Sequence, residues 1–366
     1  MTAQTAKVSF DNSSQFLQDT RREVNLYLAA RRTRLKGKSL LFAKMLLAVG
    51  LTVSSWTVLM FATPGLLLGL ACFLGLVGGA LLTGFCVMHD ANHGACFDKR
   101  AYNHLLGWSS DLLLGFSSYA WRVKHNIAHH TYTNVVDYDD DINQQPFARL
   151  APSQARHSYH RFQHLYMWPL YMLMAIRWQT LGDVSAFRRG QIGQSPLHVP
   201  KKWDLAGLLT GKAFFISWAV VLPMFVYPWW LVVIAYLVFT MILSEVMAMT
   251  FQLAHCVEEA TFASAEEMQV KRVWAIHEVE TTVDFCPRNP LLTFLLGGLN
   301  YQIEHHLFPR VPHTHYKQIA AIVRRNAAAY GIRYNVQPSL VRALRSHFRH
   351  LRTMGRLGLA VPLEMG

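Results

Sequence analysis

Two long runs without a charged side chain limit what this chain can become. Residues 45–89 contain no Asp, Glu, Lys or Arg, and neither do residues 213–244. A membrane-crossing helix needs about 20 apolar residues, so the first run is long enough for two. Thr63-Pro64-Gly65 interrupts the first run and Pro228 the second, and proline and glycine punctuate helices. The expected spans are Leu40 to Ala62, Leu66 to Met88, Leu205 to Tyr227 and Trp229 to about Phe251. Both interruptions are uncharged, so the basic residues lie on the other side. The positive-inside rule then puts both termini and residues 89–204 in the cytosol. The expected fold is an all-α, multi-pass membrane protein with four transmembrane helices in two hairpins and a helical cytosolic cap. Its segments are a basic N-terminal part (1–39), hairpin one (40–88), a cytosolic or interfacial part (89–204), hairpin two (205–251) and the cap (252–366). Lys212 falls inside the third span, where its head group is expected to snorkel to the interface.

The net charge of +13 would suggest nucleic acid in a soluble protein. With 52% hydrophobic residues and no nucleic-acid motif, it reads here as the basic flank of membrane helices, with lipid as partner and no nucleic acid. Five cysteines at irregular spacing argue against a disulfide frame and fit a reducing compartment. The first residues are polar, so no cleavable signal peptide is expected. Residues 14–38 read as a basic helix lying near the membrane. The stretches Leu105–Trp121 and Tyr166–Trp178 are too short or too polar to span, and read as interfacial. Near the C-terminus Leu340, Leu344, Phe348 and Leu351 share one helical face, and Arg342, Arg345, Arg349, Arg352 and Arg356 form a second stripe. Lipid headgroups are the plain reading of that helix; an acidic redox partner is the alternative.

Of 18 histidines, several are clustered. His89 and His93 stand in HDANH, His125, His129 and His130 in HNIAHH, and His305 and His306 in QIEHH, which begins with Gln302. His255 stands alone beyond the fourth span. Residues four apart share a helix face, so His89/His93 and His125/His129 are each spaced to chelate one metal. Adjacent pairs diverge by about 100° on a helix, so His129-His130 and His305-His306 suit two metals. A helix rises roughly 36 Å from Gly65 to His89 and roughly 39 Å from Trp229 to His255. The hydrocarbon core is about 30 Å thick, so both deliver histidine just beyond it on one side. Imidazole suits iron, zinc, copper and nickel alike, so the ligands do not choose the metal. Asp90, Glu304, Asp137, Asp139, Asp140 and Asp141 could balance the charge from outside, although a solvated loop is as good a reading of the acidic run.

These motifs, HDANHGA, KHNIAHHTYTN and GGLNYQIEHHLFPRVP, resemble the three histidine boxes of the membrane fatty-acid desaturase family, and the resemblance covers nearly the whole chain. Glutamine at the head of the third box is similar to the front-end and bacterial acyl-CoA or acyl-lipid branches. The resemblance implies oxygen-dependent insertion of a cis double bond into a fatty acyl chain, with two iron ions and O2 as co-substrate. It carries the catalytic and metal-ligand roles to His89, His93, His125, His129, His130, His255, His305 and His306, with Gln302 as a weaker ligand or outer group. Many front-end members carry a fused cytochrome b5 domain with an HPGG motif, absent from this sequence. Electrons are then expected from a separate cytochrome b5-like protein, or from a ferredoxin, with its reductase. Trp121, Trp274, Tyr301 and Phe308 flank the boxes and could line an acyl tunnel, although ordinary core packing is the plainer reading.

His157, His160 and His164 read as a surface stripe rather than a third metal site. His277 carries no assignment. His313 and His315 could meet a headgroup or thioester. Two other functions stay open: a related hydroxylase, ketolase or sphingolipid desaturase on the same scaffold, and a non-enzymatic membrane metal-binding protein. The second lacks the ionisable groups within its spans that transport usually needs. Zinc binds imidazole sites more tightly than ferrous iron. Overexpressed protein is therefore expected to purify with zinc and low activity by elemental analysis. Turnover that stays low after iron reconstitution would count against this.

Overall fold

The computed structural model describes residues 8–30, 34–269 and 272–358. Four helices are long and apolar enough to cross a membrane: Ser39–Ala62, Leu66–Asn92, Lys202–Phe225 and Trp229–His255. They match the expected spans to within four residues at each end. The fourth runs on to His255, which is its last residue rather than a residue beyond it. Helix α1 is Gln15–Ala30, α2 Arg34–Ala62, α3 Leu66–Leu82, α4 Lys202–Ile216 and α5 Trp229–His255. Large side chains along the spans, such as Phe61, Leu66, Leu67 and Trp229, are exposed, as lipid-facing residues must be.

Small residues let α2 and α3 lie close together. A Cβ on Gly75 would come within 2.2 Å of Ser55 Oγ, and one on Gly79 within 2.3 Å of Thr52 Oγ1. Without a hydrophobic drive between helices in lipid, such close approach supplies the packing. Two bonds tie α2 to the second pair of spans: Trp56 Nε1 donates to the Trp218 carbonyl at 3.0 Å and Tyr227 Oη to that of Leu59 at 2.6 Å.

Outside the spans the described residues form shorter helices, irregular loops and two-residue β pairs, Gln191–Ile192 with Ser195–Pro196 and Asp284–Phe285 with Val336–Gln337. Helices α6 (Trp274–Thr281), α7 (Gln302–Leu307), α8 (Tyr316–Ala329) and α9 (Leu340–Arg356) enclose the histidines. Helix α1 is docked on the protein: Phe16, Leu17 and Val24 are buried in one cluster with Val279, Ile303, Ile319 and Val323. The basic side chains of residues 31–38 fall outside the described residues.

Helix α9 is likewise a docked helix. Its buried face carries Ala343, Ser346, His347, His350, Leu351 and Met354, whereas Leu340 is exposed. The buried face is wider than the apolar stripe because two histidines belong to it: His347 Nδ1 donates to the Cys256 carbonyl and His350 Nε2 to that of Leu150. Arg149, fully buried, holds the end of α9 by donating to the carbonyls of Met354 (2.8 Å) and Leu357 (2.7 Å). A cation there suits the negative end of the helix.

Two further expectations fail. His160 and His164 are buried, not a surface stripe; His160 Nε2 lies 2.8 Å from the Pro146 carbonyl and its Nδ1 accepts from the His157 backbone. Lys212 does not snorkel. Its Nζ pairs with Asp183 at 2.8 Å and donates to the Gly115 and Gln179 carbonyls at 2.7 and 3.0 Å. An acid and two carbonyls satisfy the ammonium group within the protein. Asp183→Leu should strand the lysine charge and cost roughly 3 kcal/mol. Adding Lys212→Met should recover most of that loss in detergent unfolding; an unchanged single variant would refute the pairing.

Candidate metal centre

Four segments bring the histidines together. At the end of the second span, α3 passes into a π-helical turn, Thr83–Met88, and then the α-turn His89–Asn92. Gly297 packs against this turn with a positive φ of 55°, and a Cβ there would sit 2.2 Å from the Phe85 carbonyl. Only glycine permits that approach, which brings the segment leading into α7 up to the second span. His125 and His129 stand in a second π-helix, Arg122–His129, with His130 as its cap. His255 ends α5, and His305 and His306 are on α7.

The ring nitrogens form two adjoining groups. His89, His93, His125 and His305 each offer one within 4.8 Å of the others, and so do His129, His255 and His306. His130 lies between them: its Nε2 is 2.9 Å from His305 Nε2 and 3.2 Å from His125 Nε2, and its ring stacks on His306 at 4.2 Å. As expected, His89 and His93 share a group; His305 and His306 fall in different ones of these two, but both also group with His130. His125 and His129 do not share one, contrary to the spacing argument. Instead His125 Nε2 meets that of His130, and His129 joins His255 and His306. Gln302, buried at the start of α7, lies beside His255.

The outer ring nitrogens are held by the protein. His306 Nδ1 is 2.7 Å from Glu278 Oε2, His129 Nδ1 3.1 Å from Asp139 Oδ2, and His305 Nδ1 3.2 Å from Tyr316 Oη. His89 Nδ1 is 3.4 Å from Asp90 Oδ1, and His255 Nδ1 3.4 Å from the Thr281 carbonyl. Meanwhile Nε2 of His89, His93, His255 and His306 is buried with no hydrogen-bond partner among the described residues. Inner nitrogens left bare while outer ones are fixed is the arrangement of metal-ligating histidine. Burial, then repulsion among neighbouring imidazoles, holds His93, His125, His130, His305 and His306 well below the usual histidine range. They therefore keep the neutral form a metal needs. For His129 burial acts the same way but is outweighed by Asp139, which helps carry it up to about 9. The residues present fit a metal site.

Of the acids named from the sequence, Asp90, Asp139 and Asp141 reach these rings; His129 Nδ1 is 3.5 Å from Asp141. Asp140 pairs with Lys124 instead, Asp137 is exposed, and Glu304 bonds Tyr334 Oη at 3.0 Å. The sequence reading missed Glu278, which burial pushes up to about 8, and Tyr316. Neither lies in a histidine motif, so no local signal marked them. His277 is structural, its Nε2 donating to the Thr133 carbonyl at 2.8 Å. His313 is buried and turned inward to Asp90 rather than to a headgroup, and His315 Nδ1 lies 3.3 Å from Tyr27 Oη.

An apolar cavity of 440 Å³ adjoins the cluster, lined by Phe116, Trp121, Met174 and Phe251, with Lys124, Asp141 and Arg177 among its polar lining. Trp121 stacks on His125 with ring centroids 4.4 Å apart, so the cavity wall and the cluster share a contact. Trp274, Tyr301 and Phe308 lie elsewhere: Trp274 Nε1 donates to the His130 carbonyl, Tyr301 Oη to that of Pro287, and Phe308 packs in the α1–α8 core.

The fatty acid desaturase family profile matches residues 62–338. The sn-1 linoleoyl-lipid 6-desaturase of Arthrospira platensis is 35% identical over 97% of this chain and 96% of its own length. That of Synechocystis sp. is 31% identical over 96% of this chain and 98% of its own. The acyl-lipid (8-3)-desaturase of Physcomitrium patens is 36% identical over 85% of this chain, which spans 66% of that relative. With its histidine groups beside an apolar cavity and its matches running through both, the chain belongs to the fatty acid desaturase family.

Proposed function

We propose that this desaturase introduces a cis double bond into the acyl chain of a membrane lipid, using two iron ions and O2. The observation that carries the reading is the pair of adjoining histidine groups, with bare inner nitrogens, against a cavity of acyl character. His89, His93, His125 and His305 would hold one ion, and His129, His255 and His306 the other. His130 lies between them, and Gln302 beside His255 as a weaker ligand or outer group. When bound, a di-iron pair supplies what no side chain here can, oxidation of unactivated C–H bonds by dioxygen.

The chain's own residues position the reaction. Asp139, Glu278, Tyr316 and the Thr281 carbonyl orient the imidazoles from behind. Trp121 and Phe251 fix one wall of the cavity beside His125, so neighbouring methylenes can be held against the centre. Burial of the ligands keeps bulk water away from it. The names of the two cyanobacterial relatives, which this chain covers almost end to end, favour a lipid-bound chain over a coenzyme A ester and make position 6 the first to inspect.

In this reading the spans form two hairpins, with both termini, the metal centre and a cap built from residues 89–204 and 252–366 on the cytosolic side. The uncharged interruptions at 63–65 and 228 support that sidedness. Electrons come from a separate cytochrome b5-like protein or a ferredoxin with its reductase.

Expression in a host with defined fatty acids, followed by mass spectrometry, should reveal a product two mass units lighter than its precursor. A product sixteen units heavier would instead indicate a hydroxylase. His129→Ala should remain in the membrane and form no product; retained desaturation would sink the assignment of that ligand. Glu278→Gln keeps the side-chain shape and removes the carboxylate behind His306. It is expected to weaken metal binding about 10–100-fold in a titration of the purified protein. Undiminished affinity would rule out that outer role.

A further inference from the structure

We propose that Lys44, a lysine within the first membrane helix, is a positioning residue for the His89 side of the metal centre, acting through His313 and Asp90. Lys44 lies in Ser39–Ala62 yet is only 3% exposed. A lysine near the end of a span ordinarily reaches outward to headgroups. This one points inward. Its Nζ donates to the Phe294 carbonyl at 2.9 Å and lies 2.9 Å from His313 Nε2.

The hydrogen-bonding capacities then fix a direction along the chain of contacts. An ammonium group has three donors and no acceptor, so His313 Nε2 must accept. The His313 proton therefore sits on Nδ1, which donates to Asp90 Oδ2 at 2.8 Å. The His313 backbone N–H reaches the same oxygen at 3.2 Å. Asp90 is held from that side, and its other oxygen faces His89 Nδ1 at 3.4 Å. With Nδ1–H directed to Asp90, His89 presents the lone pair of Nε2, one of the buried nitrogens without a partner among the described residues. That nitrogen belongs to the group formed with His93, His125 and His305.

The relay joins three distant parts of the chain. Lys44 comes from α2, Asp90 from the end of the second span, and His313 from the turn His313–His315 after the third histidine motif. It serves one of the two groups. The rings of His129, His255 and His306 are backed instead by Asp139, the Thr281 carbonyl and Glu278. The consequence is selective: loss of Lys44 should release the His313 tautomer, loosen Asp90 and misdirect His89, leaving the other site intact.

This inference rests on the metal reading of the histidines, and cobalt(II) titration of the purified full-length protein in detergent tests the two separately. Wild type should bind two ions. Lys44→Met should weaken one of them several-fold, below the roughly 10–100-fold usual for loss of a ligand's own outer partner, and leave the other unchanged. His313→Leu should do the same. His313→Gln, whose amide can accept from Lys44 and donate to Asp90, should restore binding. Unchanged affinity in Lys44→Met, or equal weakening at both sites, would overturn the proposal. If Lys44→Met does not fold, the His313→Leu and His313→Gln pair decides by the same criteria. Absence of cobalt binding in wild type would defeat the metal reading itself, a distinct result.

Discussion

The rest of the structure depends on a group of buried imidazole nitrogens that face one another without a hydrogen-bond partner among the described residues. Each buried polar atom left without a partner costs about 1–3 kcal/mol. Here several are gathered in one place, at Nε2 of His89, His93, His255 and His306. Such an arrangement persists only if surrounding contacts hold each ring by its other nitrogen and by its backbone. Glu278, Asp139, Tyr316, Asp90 and the Thr281 carbonyl do the first. The spans and the packed helices do the second. A bound cation would convert the unfavourable cluster into satisfied ligands, which couples metal binding to folding.

Backbone irregularity matters as much as side-chain choice. Two of the segments that carry histidine, Thr83–Met88 leading into His89 and Arg122–His129, are π-helical rather than α-helical. Within the second, His125 meets His130 while His129 joins the other group. π-Helical turns are uncommon and recur at functional sites. The second membrane span therefore changes geometry just before it meets the site, whereas Trp229–His255 stays α-helical to its end. Gly297 makes that geometry possible at the first segment by admitting the Phe85 carbonyl into the space of a missing side chain.

Misreadings of the sequence share one cause. Lys212, His160 and His313 read from the sequence as polar groups seeking water or headgroups, and nothing local marks His347 or His350 as buried. All but Lys212 are buried, and every one of them is paired. Local sequence reports polarity but not the distant acid or carbonyl that satisfies it. For Lys212 the partner Asp183 lies 29 positions away, and for His313 the partner Asp90 lies 223 away. The same blindness hid Glu278, whose segment contains no chelating spacing.

The sequence by itself determined the four apolar helices and the family, because hydropathy and the histidine motifs are local patterns readable over a few tens of residues. It also nominated the eight histidines that meet. Only the tertiary structure decided how seven of those eight divide between two groups with His130 between them, which acids and hydroxyls stand behind them, and which aromatic residues border the cavity. Those features depend on turn geometry and on contacts between parts of the chain far apart in order. No periodicity encodes them, since the folding of the whole chain brings the partners together.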